Sequence, residues 1–490
     1  MVLVLIVALC ALYLLLRTWL YVLWSRGVGE LPKGPWPVPF LGDGLKIDGA
    51  APFRTMEKWV KEYGKVYTLL FGHKLILVIA DINVLKKAFR DDKFAGRPRD
   101  TWALVWDATK LPLGLAESEG SVWKEHRRFS LHALRDFGFG KESGELYIRQ
   151  ETTKMLKILE SSNGQPMDNS LLFATAASNV AAYMMFSDTF NSEDPRFIHY
   201  LQDVARNFRE MPNAGILEIF PSLKFVPPFS FTISKFQARV KQQVTVLQDL
   251  VEEHKKSFDP DHLRDYIDAF LALQQKNSPT FTDGQLIADL TDLFAASIET
   301  TATYLRWAIL FVIAYPGVQR KIQAEIDDAV GRSKQIVYAD RTRLPFTEAT
   351  LLEVFRFSNF GPFLLPHRAL EDAQFEGYEI PKGTTVLGLV WAINRDPDLW
   401  GNPSEFQPER FLDDSGQIDQ QATGNVLAFS VGKRSCPGEP LAKMDLLIFF
   451  ASLLQHFTIR NETDEVPSLE PVNGLVLTPP PYQMRVFLRK

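Results

Sequence analysis

Cysteine is nearly absent: the 490 residues contain two, Cys10 and Cys436. Cys10 falls inside an apolar amino-terminal stretch, so the rest of the chain owns one thiol. That excludes a disulfide framework and a multi-cysteine zinc site. A large charge of either sign is missing too. Lys and Arg number 54 against 59 Asp and Glu, a net charge of −5, which gives no support to nucleic acid as a partner. Beyond about residue 40 there is no second linker, internal repeat or low-complexity run. With 46% hydrophobic and 23% charged residues, disorder, collagen and a polytopic membrane protein are excluded. What is abundant is phenylalanine, with 36 residues. That predicts a large aromatic interior or an apolar pocket.

The amino terminus departs from this average. Residues 1–16 hold no charge, Arg17 and Thr18 interrupt, and 19–24 resume the apolar run. As a helix, 1–24 would extend about 36 Å, enough to cross a hydrocarbon core of about 30 Å. A cleaved signal peptide fits less well, because no basic n-region is present and the run is too long for an h-region. Arg26 and Lys33 follow, so the positive-inside rule leaves the remainder in the cytosol. Four prolines within 31–40 preclude a helix and favour a stiff extended hinge. The expected organisation is a membrane anchor over 1–24, a proline-rich hinge over 25–39 and one globular domain over 40–490.

Helical periodicity dominates that domain. Thr282 and Gln285 form a capping-box pattern, and Leu286, Leu290, Leu293 and Phe294 continue a long helix until Pro316. Helices are also expected over 346–357 and after Pro437, through Leu441 to Leu454. Short strand-like patches lie at 65–71, 75–80, near 375–389 and at the C-terminus.

The remaining thiol sits in FSVGKRSCPG, residues 429–438. Pro437 suits a first helical turn, which places Cys436 at a helix N-terminus where the dipole stabilises an anion. Lys433 and Arg434 add positive charge. These features favour thiolate, as a nucleophile or a metal ligand. A nucleophile needs a base, and no His is near in sequence. A lone thiolate also suits axial ligation of haem iron. Gly432 and Gly438 would let a bulky flat ligand approach the sulfur.

The spacing Phe429-x-x-Gly432-x-Arg434-x-Cys436-x-Gly438 resembles the haem-binding signature of the cytochrome P450 superfamily. Further landmarks follow. Glu353 and Arg356 share one helix face, and the apolar Leu351, Leu352, Val354, Phe355 and Phe357 around them argue for a buried pair, which needs further partners. The resemblance implies that Arg410, in PERF, joins this pair to brace the haem-side core. Trp123 and Arg127, four apart, present two donors suited to carboxylates. The resemblance implies that they hold haem propionates together with Arg97, His367 and Arg434. The stretch ASIETT, residues 296–301, resembles the oxygen-binding element of the family. That implies a local distortion opening a groove for dioxygen, with Glu299 and Thr300 relaying protons. Ser297 stands where that pattern usually has Gly.

The resemblance covers the whole chain and is strongest to the animal microsomal, family 2-like branch. It implies a mainly α fold, a large helical domain with a small β subdomain, preceded by one transmembrane helix. It implies heme b, with Cys436 on the iron, and electrons from NADPH through NADPH–cytochrome P450 reductase, with cytochrome b5 as a further donor. It implies a single-pass protein of the endoplasmic reticulum that oxygenates a steroid, fatty acid or xenobiotic. The rivals are a haem-thiolate isomerase, a non-catalytic haem sensor or carrier and, more remotely, a cysteine-nucleophile hydrolase. Lys124, Arg128, Arg135 and Lys433 are expected to form a basic face for an acidic electron donor. The apolar, proline-broken segment 220–231 is expected to dip into the bilayer and line an entrance.

Overall fold

The computed structural model describes residues 16, 18–98, 109–190, 194–210, 224–276, 278–463 and 465–489. Most of the expected anchor, residues 1–15 and 17, lies outside them. Residues 18–27 are helical, and no single described helix is long and apolar enough to cross a membrane. Of the expected hinge, residues 25–27 belong to this helix, 28–31 turn, and 32–37 have no regular structure; the segment is pinned to the body. Arg26 donates to Pro35 O at 2.7 Å, to Thr68 Oγ1 at 2.9 Å and to Thr68 O at 2.6 Å. A side chain on Gly34 would put its Cβ 1.9 Å from Thr68 O, so only glycine allows this approach.

The body is mainly helical. Six helices position the site: α1 (Gly120–Asp136), α2 (Pro195–Glu210), α3 (Phe229–Lys256), α4 (Asp283–Ala314), α5 (Pro345–Ser358) and α6 (Glu439–His456). The 32-residue α4 is buried along most of its length. Its expected capping box is half made. Thr282 Oγ1 accepts from the Gln285 N–H at 3.2 Å. The Gln285 amide does not return; it donates to Leu113 O at 3.1 Å and Asp289 Oδ1 at 2.9 Å. Pro316 cannot continue the ladder, and the next helix turns away by 106°.

Four strands form one sheet in the order β1 (Val66–Phe71), β2 (Lys74–Ile79), β6 (Thr385–Gly388), β3 (His367–Arg368). The β1–β2 and β3–β6 pairs are antiparallel, and β2–β6 is parallel. Two hairpins complete the β part: β4 (Ala373–Phe375) with β5 (Tyr378–Ile380), and β7 (Phe457–Asn461) with β8 (Met484–Leu488). The phenylalanines fill the interior as expected. Phe173, Phe270, Phe294, Phe311 and Phe449 are fully buried, each contributing about 1.5–3 kcal/mol of transfer free energy.

One histidine latches the end of α3. His254 Nδ1 faces Leu250 O at 3.0 Å, and Nε2 faces Asp265 Oδ2 at 2.9 Å. Both partners are acceptors, so both ring nitrogens must carry protons. Burial works against that charge, but the Asp265 carboxylate and Leu250 carbonyl outweigh it, and the pKa is raised. A raised folded value gives stability that is complete below about pH 6.5 and is lost as pH rises through the folded value. His254→Phe should therefore lower the melting temperature more at about pH 6 than at about pH 9. Thermal denaturation of the two proteins across this range is the check, and an equal decrement throughout would contradict the latch.

Candidate functional site

Residues 429–436 fold back on themselves, with the Cys436 N–H donating to Phe429 O at 2.8 Å. Gly432 has φ +78°, and a Cβ there would lie 2.0 Å from Phe89 O. Close packing on the helix Ile82–Arg90 therefore demands this glycine; room for a ligand at the sulfur is not the reason. Gly438 has φ −85° and caps α6. Cys436 lies just before that cap, and the N–H groups of Gly438 and Glu439 hydrogen-bond it. The side chain itself is exposed to the space in front of it, yet the atoms packed around the sulfur push the thiol up, Glu439 adds to them, and the two N–H groups and the Arg127 charge oppose them. Lys433 does not offset this, since it is exposed and pairs with Asp92 at 2.5 Å. Such a thiol is a poor free nucleophile, whereas a bound cation would itself remove the proton.

The Cys436 side chain opens into a cavity of about 990 Å³. Phe429, Leu441 and Ala442 flank it there, and Ala296, Ser297 and Thr300 of α4 line the same space. The lining is mostly apolar.

Beside the sulfur, the fold gathers donors that it does not satisfy. Arg97, Trp123, His367 and Arg434 are all buried. Arg97 is held by Ala116 O, Leu365 O and Pro366 O at 2.7–3.0 Å. Arg127 donates to Ser435 O at 2.5 Å. Arg434 stacks on the Trp123 ring at 3.7 Å and donates to Ala95 O and Ser118 O. Trp123 Nε1, His367 Nδ1 and Arg434 Nη1 are buried with no partner among the described residues. Burial lowers Arg97 to about 10 and Arg434 to about 9, and with help from both cations it drives His367 to about 2. Burial also lowers Arg127. His367 is therefore neutral, stacked on Phe89 at 3.7 Å. Buried cations and orphaned donors call for anions. The two carboxylates of haem answer that need, so the residues fit this group.

In α4 the two expected relay residues diverge. Thr300 lines the cavity, and its hydroxyl donates to Ala296 O at 2.6 Å. Ser297 lines it too and donates to Phe294 O at 2.8 Å. The helix continues through this stretch, and both hydroxyls are back-bonded to the preceding turn, an arrangement that bends helices. Glu299 is buried and accepts from Thr303 Oγ1 at 3.0 Å. Burial raises its carboxyl, with Thr303 and the charges of Arg306 and Arg209 pulling the other way.

Sequence reasoning missed Asp292, Asn207 and Gln243, which also line the cavity. Asp292 accepts from the Ala116 N–H at 2.9 Å, and burial pushes it up to about 8. Its one signal is an acid interrupting an apolar helical run. Asn207 and Gln243 have none.

Glu353 and Arg356 form the expected buried pair, bidentate at 2.6 and 2.7 Å, and Arg410 joins at 3.1 Å. Arg356 also donates to the carbonyls of Asn394, Pro403 and Glu405 at 2.9–3.0 Å. Arg410 holds those of Trp400, Asn402 and Glu405. Every charge is met, which makes such burial tolerable. Arg356→Met would leave the buried Glu353 carboxylate only Arg410 and the Gln407 N–H and should cost about 3–5 kcal/mol. Denaturant unfolding measures it, and a loss within experimental error would refute the bracing role.

The chain matches the family Cytochrome P450 over residues 32–486. It is 36% identical to cytochrome P450 2J5 of Mus musculus over 471 residues, 94% of this chain and 92% of that protein. It is 35% identical to cytochrome P450 2C5 of Oryctolagus cuniculus over 491 residues, 99% and 98% of the two chains. With cytochrome P450 2J2 of Homo sapiens it shares 35% identity over 462 residues, 92% and 90%. The same stretch of chain that builds the thiol-floored cavity and its ring of unsatisfied donors is thus matched almost end to end, and the chain belongs to the cytochrome P450 family of haem-dependent monooxygenases.

Proposed function

We propose that the protein inserts one atom of dioxygen into a lipophilic steroid, fatty acid or xenobiotic, using NADPH-derived electrons from a reductase. The observation behind this is the apolar cavity that holds Cys436 at one wall and Thr300 at another. When bound, the haem supplies dioxygen activation and oxygen transfer. The protein's part is positional. Cys436 would ligate the iron, and Arg97, Trp123, Arg127, His367 and Arg434 would hold the propionates. Thr300 offers a hydroxyl at the cavity wall, where it can orient a proton. Glu299, held on the Thr303 side, would relay protons from there, and burial raises its carboxyl against the pull of Thr303, Arg306 and Arg209. The apolar lining excludes bulk water and orients the substrate.

The site would be reached from the endoplasmic reticulum membrane, with the body in the cytosol. Phe225 and Phe231 are 76% and 63% exposed, and Trp36 and Leu45 are 71% and 70% exposed. Such apolar surface suits lipid. Residues 220–223 of the expected entrance lie outside the described part. Lys124, Arg128 and Arg135 are exposed on α1 and would attract an acidic donor. Lys433 contributes less, because Asp92 pairs with it.

Reconstitution with reductase, NADPH and lipophilic candidates tests this reading through oxygenated product. Haem-bound protein that oxidises no NADPH with any donor would overturn it. Cys436→Ala should abolish the red-shifted Soret band of the reduced carbon monoxide adduct, and a band that persists would remove the thiolate assignment. Thr300→Ala should keep haem and NADPH oxidation yet lower product per NADPH several-fold, with hydrogen peroxide rising in proportion. Unchanged coupling would leave Thr300 only its bond to Ala296.

A further inference from the structure

β1 lies at the edge of its sheet, and an open edge leaves backbone groups without partners. Here the segment that leads out of the helix over 18–27 closes that edge. The Thr68 N–H donates to Lys33 O at 2.9 Å, and the Leu70 carbonyl accepts from the Asp43 N–H at 2.5 Å. The Leu70 N–H donates to Asp43 Oδ2 at 3.0 Å, and Asp43 is fully buried. The fourth group, the Thr68 carbonyl, is taken by Arg26, the last residue but one of the helix. The same guanidinium holds Thr68 Oγ1 and Pro35 O, so one planar fork meets three acceptors from two parts of the chain. The helix itself is seated. Val22 and Ser25 are buried, Trp19 Nε1 donates to Pro37 O at 3.0 Å, and just beyond the helix Glu30 O accepts from the Glu379 N–H of β5 at 2.8 Å. β1 and the segment then run on to the cavity. Phe71, at the end of β1, lines it together with Leu41, Gly44, Leu45 and Ile47. Leu45 both lines the cavity and is mostly exposed, which places it at the mouth.

We infer that the end of the helix over 18–27 is a strap on the substrate entrance: Arg26 holds β1 and, through it, the mouth-forming residues 41–47 against the body. The inference rests on reading this cavity as the substrate site of the proposed monooxygenase. Residues 18–27 continue the run expected to anchor the chain, so one arginine joins that run to the doorway. A lysine cannot replace it. Lysine carries the charge but offers a point contact, whereas three acceptors at once need a planar fork. The strap lies outside the site and sets how often the mouth opens. It therefore governs the rates of entry and exit together and leaves affinity alone.

The test uses the full-length holoenzyme in bilayer discs, with two readouts that need neither NADPH nor a reductase. Hydrogen exchange follows the amides of Asp43, Thr68 and Leu70. Stopped-flow Soret shifts follow a long-chain alkylimidazole, which ligates haem iron. In Arg26→Lys and Arg26→Gln alike, those amides should exchange about tenfold faster, with α6 unchanged, because hydrogen bonds to a charged group are lost. Association and dissociation of the imidazole should both quicken about threefold, with Kd held within about twofold. Unchanged exchange overturns the strap, as does faster exchange with unchanged ligand rates. An effect in Arg26→Gln that is absent from Arg26→Lys also overturns it, because charge beside the membrane would then be the cause. If the Arg26 variants lose haem, Thr68→Val decides by the same readouts, since it removes the hydroxyl and no charge. Absent turnover would count against the monooxygenase reading alone, and unchanged exchange and rates against the strap alone.

Discussion

The carboxylate of Glu353 is the group on which the site's geometry rests. It accepts four N–H donors, two from Arg356, one from Arg410 and the Gln407 backbone. The two arginines spend their other donors on carbonyls between 394 and 405. An irregular segment is thereby tied to α5 at full depth. From α5 the constraint passes to the sulfur by packing. Phe355 meets Phe429 edge to face at 5.4 Å, and the Phe429 carbonyl closes the loop onto the Cys436 N–H. Apolar contacts alone would allow this loop several registers; a saturated buried ion network allows one.

A second constraint runs in the opposite sense. The donors around Trp123 and Arg434 are left unsatisfied on purpose of function, not of stability. Burying cations with too few anions is costly, and the lowered values of Arg97 and Arg434 register that cost, which Glu117 and Glu119 only partly offset. An anionic ligand would relieve more of it, which would couple cofactor binding to stability. Glu353 and this cluster are chemically alike, arginines in an apolar interior, and differ in whether the carboxylate comes from the chain.

α4 separates the roles of adjacent residues. About 100° of rotation per residue turns Thr300 to the cavity and leaves Glu299 on Thr303. One helix thus places a hydroxyl at the cavity and a buried carboxyl off to its side.

Much of this was legible in the chain. The thiol, the Glu353–Arg356 pair and the Trp123–Arg127 spacing are local patterns, and local patterns survive without knowledge of the fold. So are the ends of α4, set by Thr282 and Pro316, although the Gln285 side chain found better partners than the cap. What failed or stayed hidden depended on burial. Cys436 reads as an activated thiolate from its neighbours, yet desolvation raises it. Gly432 reads as space for a ligand, yet Phe89, far away in sequence, demands it. Asn207 carries no sequence signal at all, because Arg239, which holds it, belongs to another helix. The sequence by itself determined which residues could bind, pair and cap, since those are properties of side chains and short spacings. Only the tertiary structure decided which donors lack partners and which charges leave water, because desolvation is set by everything packed around a group.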